Sequence, residues 1–244
     1  MDLFPLYKEV IGRAENNSYF DKCGFVACNN LASVCGNVLI TGINPSVPVN
    51  GQYVPTASYD HPFTTNTNSH FQKLCKFVPE KDRDSIGYLD IFPFYERSQD
   101  TLLSNIRGNE PFIASVLAVT QEAIEKINPS LLIIANKGTW PFWGAAQDCV
   151  WMGYDFVSVI EEDMPEQLRG RKFDIRIIRG FRKDSKAVHE IIYRPNDGIC
   201  QLKGTLALMY KHNSALSAEE QISTEDYLSL LAYAKQVKTI SKYL

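Results

Sequence analysis

Two short segments carry residue types that could do chemistry. The first is Leu39-Ile40-Thr41-Gly42-Ile43-Asn44-Pro45-Ser46. The second, far downstream, is His212-Asn213-Ser214-Ala215-Leu216-Ser217. Each follows a short apolar run, at residues 38–41 and 205–210. Each therefore reads as a polar loop leaving the C-terminal end of a buried strand, the edge at which open α/β sheets bind ligands. The first loop offers an Asn held by a following Pro. An amide can orient a water or a ligand group, but it is no practical base at neutral pH. The second loop offers an imidazole, two hydroxyls and a Leu. A positioned donor beside a growing anion can be worth roughly 3–4 kcal/mol.

Four apolar runs must position these loops, at residues 38–41, 86–92, 131–135 and 205–210. The run at 131–135 is wholly apolar, as a central parallel strand should be. Between the runs the spacing predicts a helix over 3–15, another beginning near 70–77, and an amphipathic helix over 112–127 that Asn128-Pro129 stops. A last helix has Thr224-Glu225-Asp226 near its start. Residues 45–69, rich in Pro, Thr, Ser and Asn, read as a long loop, and such loops inside a domain are often functional. The fold expected is a three-layer α/β/α sandwich around a four-stranded, mainly parallel sheet, with residues 1–244 forming one domain.

The stretch 155–204 differs in kind. Short strands are predicted at 156–160, 173–178, 190–193 and 199–202, with a turn at Asn196-Asp197-Gly198. It reads as an antiparallel elaboration of the core. Arg169, Arg171, Lys172, Arg176, Arg179, Arg182 and Lys183 make it locally positive. Those cations form either a solvated face or an arm that tracks phosphates.

Composition narrows the class. The chain is 45% hydrophobic and 22% charged, an ordinary globular balance, and its net charge of −3 argues against indiscriminate nucleic-acid binding. The six cysteines contain no Cys-x-x-Cys pair, so no metal site is expected, and small buried thiols in a reducing cytosol are. Neither a signal peptide nor a membrane-spanning apolar run is visible, and a soluble, cytoplasmic, monomeric protein is expected. No P-loop, Rossmann glycine fingerprint, nucleophile elbow or zincin helix occurs.

Taken together, the Gly-x-Asn-Pro loop and the His-x-Ser-x-Leu-Ser loop resemble those of the uracil-DNA glycosylase superfamily. Tyr59-Asp60-His61-Pro62, then Asn68, then Phe71, is similar to a pattern of its mismatch-specific uracil/thymine branch. The resemblance covers about two thirds of the chain, discontinuously. It implies a cofactor-free hydrolase that cleaves the N-glycosidic bond of a damaged or mismatched base flipped out of DNA. A non-catalytic nucleic-acid or nucleotide binder of the same fold is the alternative, and a hydrolase of small N-glycosides is a third.

What the resemblance implies for single residues follows the motifs. Asn44 orients the attacking water and His212 donates to the base O2, making these two the catalytic candidates. Gly42, Ile43, Ser46, Tyr59, Asp90 and Asn136 would contact the base. Tyr59 is the stacking ring, with Phe63 an alternative and packing of the loop onto the core another. Ser46, two residues after Asn44, is too small to exclude a 5-methyl group. Ser214 and Ser217 would hold phosphates, and Leu216 would fill the vacated stack. Ser217 with Glu220 also reads as a helix-capping pair.

Asp90 departs from the pattern, since it stands where the family has an Asn that reads uracil. An ionised carboxylate only accepts hydrogen bonds. Asp90 therefore either faces an amino-bearing edge or pairs with Arg97 or another cation.

Overall fold

The computed structural model describes residues 2–13, 19–27, 38–46, 54–56, 69–146, 151–182, 198–211, 216–237 and 243. Among the described residues, six strands form one mixed sheet: β1 (Val38–Gly42), β2 (Ile86–Asp90), β3 (Leu131–Ile134), β4 (Tyr154–Ser158), β5 (Asp174–Phe181) and β6 (Leu206–Met209). Their spatial order is β2-β1-β3-β6-β5-β4. β2, β1, β3 and β6 run parallel, while β5 is antiparallel to β6 and β4 is antiparallel to β5.

The expected four-stranded sheet is thus the parallel part of a larger one. The stretch beginning near residue 155 extends the same sheet past β6 by two strands. Ile175 and Ile177 of β5 are buried with β6 residues, so hydrophobic burial continues across the join. Residues 201–204 form a turn, not the strand expected there, and Gly204 has φ +85°. That left-handed geometry suits glycine and interrupts extended backbone. The expected strand at 190–193 lies outside the described residues.

Side-chain alternation along the strands makes two apolar layers. On one face, Leu39, Leu89, Leu132, Ile134 and Met209 pack with α1 (Phe4–Gly12), α3 (Gln99–Ile106), α4 (Glu110–Ile127) and α5 (Trp140–Trp143). On the other, Ile40, Tyr88, Ile133 and Leu208 pack with α2 (Ser69–Cys75) and α6 (Thr224–Val237). Helices therefore cover both faces. Among the described residues, no helix is long and apolar enough to cross a membrane.

α4 organises the first layer. Its apolar stripe is interrupted by buried polar residues that tie loops down. The Thr120 hydroxyl donates to the Ile91 carbonyl at 2.9 Å and lies 2.8 Å from the Tyr7 hydroxyl. The Gln121 amide donates to the Met152 carbonyl, and Glu125 accepts from the Tyr154 hydroxyl and the Gln201 N–H. Asn128 ends the helix in the left-handed region at φ 46°, which an asparagine tolerates, and Pro129 follows. α3 was not anticipated from the sequence. Its signal is local: the Ser98 side chain caps it by accepting from Thr101 N–H, and Leu102 and Ile106 are spaced to bury one face.

The last helix starts later than the Ser217–Glu220 pair suggests. That pair forms, but it closes a turn before the helix. The cap of α6 is Ser223. Its N–H and hydroxyl both donate to the Asp226 carboxylate, and the Asp226 N–H donates back to the Ser223 oxygen. Arg171 adds an ion pair to Asp226 at 2.8 Å.

Candidate active site

The parallel register aligns the strand ends that carry the candidate residues. Thr41 is level with Leu89 and Ile134, and Ile134 with Met209. Ladder bonds continue one step further, from Ala135 N–H to the Thr41 carbonyl and from Tyr210 N–H to the Ile134 carbonyl. Asn44, Asp90 and Asn136 therefore leave a single C-terminal edge, at which β6 also ends. His212, Ser214 and Tyr59, with its alternative Phe63, lie outside the described residues.

Asn44 is half-buried and clamped. Its amide Nδ2 donates to the carbonyls of Glu96 at 2.7 Å, Pro45 at 3.1 Å and Phe94 at 3.4 Å. The Glu96 N–H returns a bond to the Pro45 carbonyl. The two N–H protons are thus committed to the backbone, which leaves Oδ1 as the group available to a water or ligand. Glu96 is itself fixed, with its carboxylate accepting from the Tyr19 hydroxyl at 2.6 Å and from Ser98 N–H at 2.9 Å. Burial works to raise the Glu96 carboxyl. Hydrogen bonds from Ser98 N–H, Tyr19 and Arg97 N–H outweigh it and hold the group below its ordinary range.

Gly42, level with Asp90, is bare for a reason. A Cβ there would collide with both Asp90 Oδ1 and the Tyr88 hydroxyl. Those two atoms are joined across the hollow, Tyr88 donating to Asp90 at 2.8 Å. Tyr88 is itself fixed by an edge-on contact with Phe71. Burial pushes the Asp90 carboxyl up to about 7, with the Tyr88 hydrogen bond partly opposing that rise. Burial also pushes the Tyr88 phenol upward, and the neighbouring Asp90 charge adds to it. Among the described residues, no Lys or Arg forms an ion pair with Asp90, Arg97 included.

The remaining candidates divide by what their polar atoms touch. Asn136 Oδ1 accepts from Gly138 N–H at 2.8 Å, making a turn that starts a short 3-10 segment. A Cβ on Gly138 would lie 3.0 Å from that oxygen and 3.5 Å from Ile43 Cδ1, so the β1 and β3 loops adjoin. Ile43 is buried in the first layer and Ser46 is exposed. Leu216 is half-buried against the second layer. The Ser217 hydroxyl faces Glu220, whose carboxylate also pairs with Lys211. Phe142 and Trp143 are core rings, packed on Phe92 and Tyr154 respectively.

Four cations of the basic stretch have carboxylate partners. Arg171 pairs with Asp226, Lys172 with Glu219, Arg176 with Asp174 and Arg179 with Asp155. Arg169 and Arg182 donate to backbone carbonyls. Lys183 lies outside the described residues. Four of the described cations are thus paired with carboxylates, while Arg169 and Arg182 keep their charge. Among the described residues, no cluster of His, Cys, Asp and Glu could hold a metal ion.

Two site residues escaped the sequence reading. Tyr88 had a usable signal, since it stands two residues before Asp90 on one strand and must share its face. Glu96 had none, because only the folded chain brings it to Asn44. No protein-family model, curated protein or solved structure matches the chain.

Proposed function

We propose that this protein hydrolyses the N-glycosidic bond of a damaged or mismatched base flipped out of DNA, as the resemblance to the uracil-DNA glycosylase superfamily implies. The observation that carries the reading is the clamped Asn44. With both N–H protons given to backbone carbonyls, its Oδ1 is preset to accept from one proton of a water and aim that water at C1′. Asn44 takes no proton, so the C1′–N bond breaks first and the base leaves as an anion; the water then bonds to C1′ and its proton goes to the departing base. His212 donates to the base oxygen as negative charge develops there. Cleavage is accordingly slow and favours good leaving groups. Ser46 leaves room for 5-substituted pyrimidines, Tyr59 stacks on the extruded ring, and Asn136 closes the neighbouring loop. Ser214, Ser217 and Leu216 meet the DNA strand.

The test is a panel of single- and double-stranded oligonucleotides carrying uracil, hypoxanthine, xanthine or a thymine mismatch, cleaved with alkali after incubation with excess protein. Strand breaks at one of these bases, lost in Asn44→Ala and His212→Ala, are expected. An intact panel removes the reading. One observation favours a second reading, hydrolysis of a small N-glycoside. Arg171, Lys172, Arg176 and Arg179 are each paired with a carboxylate, which lowers their attraction for a phosphate backbone. Release of free base from nucleosides, with the oligonucleotides untouched, would select it.

A further inference from the structure

A groove of about 530 Å³ runs along one flank of α6. Its far wall is a pair of 3-10 turns, Glu161–Asp163 and Glu166–Leu168. Leu168 is buried with Tyr227 and Leu230, which docks the second turn on α6. Arg169 braces the first by donating to the carbonyls of Glu162 and Met164. From α6, Glu225, Leu228 and Ala232 line the groove, spaced three and four apart on one face. Leu228 is 44% exposed, a large apolar side chain at the surface. Asp163 also lines the groove, and the exposed Glu161, Glu162 and Glu166 stand on its turns. Among the described residues, no Lys or Arg forms an ion pair with Glu161, Glu162, Glu166 or Glu225. Tyr233 lines the same groove, is 3% exposed, and its hydroxyl has no hydrogen-bond partner. Burial, then the neighbouring Tyr243 and Asp163, push this phenol up to about 12, so the hydroxyl stands on the acidic side. We propose that this groove docks a basic segment of a partner protein, with Lys or Arg heads on its carboxylates and one apolar side chain on Leu228.

Charge chooses the occupant. Carboxylates without cation partners attract a cation and repel a phosphate backbone, so nucleic acid does not fit here. The nearest cations do not change that, since Arg169 and Lys235 are not lining residues and Arg169 is turned to backbone carbonyls. The apolar lining suits the same occupant. A Lys or Arg side chain lays its methylene stem on apolar surface while its head meets a carboxylate, and Met164, Leu228 and Ala232 offer that surface. A buried hydroxyl without a partner is costly to a folded chain, and an N–H from the occupant would satisfy it. Length separates a peptide from a small amine. The groove follows α6 from Glu225 to Gln236, about 16 Å at the helical rise, which is the reach of about five extended residues. The inference goes beyond the glycosidic reading and does not depend on it, because α6 covers one face of the sheet and the candidate residues leave its C-terminal edge.

The experiment is fluorescence anisotropy of the full chain with a labelled, end-capped Arg-Lys-Leu-Lys-Arg peptide. An end-capped Glu-Glu-Leu-Glu-Glu peptide and spermidine serve as competitors. The basic peptide is expected to bind at low salt and to weaken as salt rises, while the acidic one does not compete. Glu225→Lys should weaken binding roughly tenfold, and Glu225→Gln, which keeps the side-chain shape, roughly threefold. Leu228→Ser should weaken it roughly threefold through the lost apolar contact. Tyr233→Phe should weaken binding yet melt no lower than wild type, since the hydroxyl makes no hydrogen bond within the protein. Asp100→Lys, on α3 across the sheet, should bind as wild type does. The proposal is overturned by an absence of binding at low salt, or by an equal loss in Asp100→Lys and Glu225→Lys, which would mean diffuse attraction. Unchanged binding in Leu228→Ser or Tyr233→Phe overturns it too. So does spermidine that binds as tightly as the peptide, which would make the groove a small-cation site.

Discussion

The Asn44 amide donates to the Glu96 carbonyl at 2.7 Å and thereby joins the loop after β1 to the segment that follows β2. The bond explains why an amide stands here. A carboxylate would face the carbonyls of Pro45, Phe94 and Glu96 with no proton to offer when ionised. Asn44→Asp should therefore be tolerated as the neutral acid and disfavoured as the anion. Its folded-state pKa is raised above the unfolded value, so its stability should fall as pH rises through the ordinary carboxylate range. Thermal melts at pH 4 and pH 7 check this, with a loss relative to wild type that is larger at pH 7 by ~1–3 kcal/mol.

Gly42→Ala should break the Tyr88–Asp90 hydrogen bond, since the new Cβ would occupy the space of both oxygen atoms. The cost is that of overpacking with a lost hydrogen bond, about 1–3 kcal/mol. Tyr88→Phe removes one of the two colliding atoms. The double variant should therefore be less destabilised than the sum of the single ones. Additive losses in denaturant titrations would show that the collision is relieved elsewhere.

Asp90 should also mark the pH dependence of stability. Its carboxyl lies near 7 when folded, against an ordinary value of 3.8. The folded state thus holds the proton more tightly. Stability from this group is complete at low pH, declines as pH rises between these two values, and levels off above the folded pKa. Allowing for partial exposure, the decline is ~2 kcal/mol. Asp90→Asn should flatten the profile between pH 4 and pH 7.5, measured by urea titration at each pH.

The Arg171–Asp226 pair should behave as a structural element. Asp226 is 5% exposed and receives Arg171 together with two donors of the Ser223 cap. Asp226→Ala strands these donors and should cost roughly 3–5 kcal/mol. Arg171→Ala should lower the melting temperature and leave the salt dependence of any oligonucleotide binding unchanged. A shallower salt slope in that variant would return the cation to a phosphate contact.

Leu216→Ala tests the half-buried leucine of the downstream loop. Its packing on the second layer predicts a stability loss of ~1–2 kcal/mol. Under the proposed function it should also weaken binding to duplex more than to single strands, because only a duplex has a stack to refill. Equal losses on both would make Leu216 a packing residue alone.

Much of this protein is legible along the chain because it depends on local pattern. Continuous apolar runs mark β1, β3 and β6, a helical stripe marks α4, and Asn128-Pro129 marks its end. Together with the run that marks β2, those strands carry Asn44, Asp90 and Asn136 at one edge. What the chain could not reveal depends on partners far apart in it. Whether β4 and β5 join the main sheet is decided by hydrogen bonding to β6, and an antiparallel hairpin has the same pattern in either place. The cations of residues 169–182 read as a patch, and only the fold shows which of them pair with carboxylates. Asn44 and Asp90 are the clearest cases. Residue type limits what each side chain can donate or accept, but the Glu96 carbonyl, the Tyr88 hydroxyl and the depth of burial decide which atoms stay available. Those three are set by tertiary contact, because solvent exposure and hydrogen-bond partners belong to the packed chain and not to any window of its sequence.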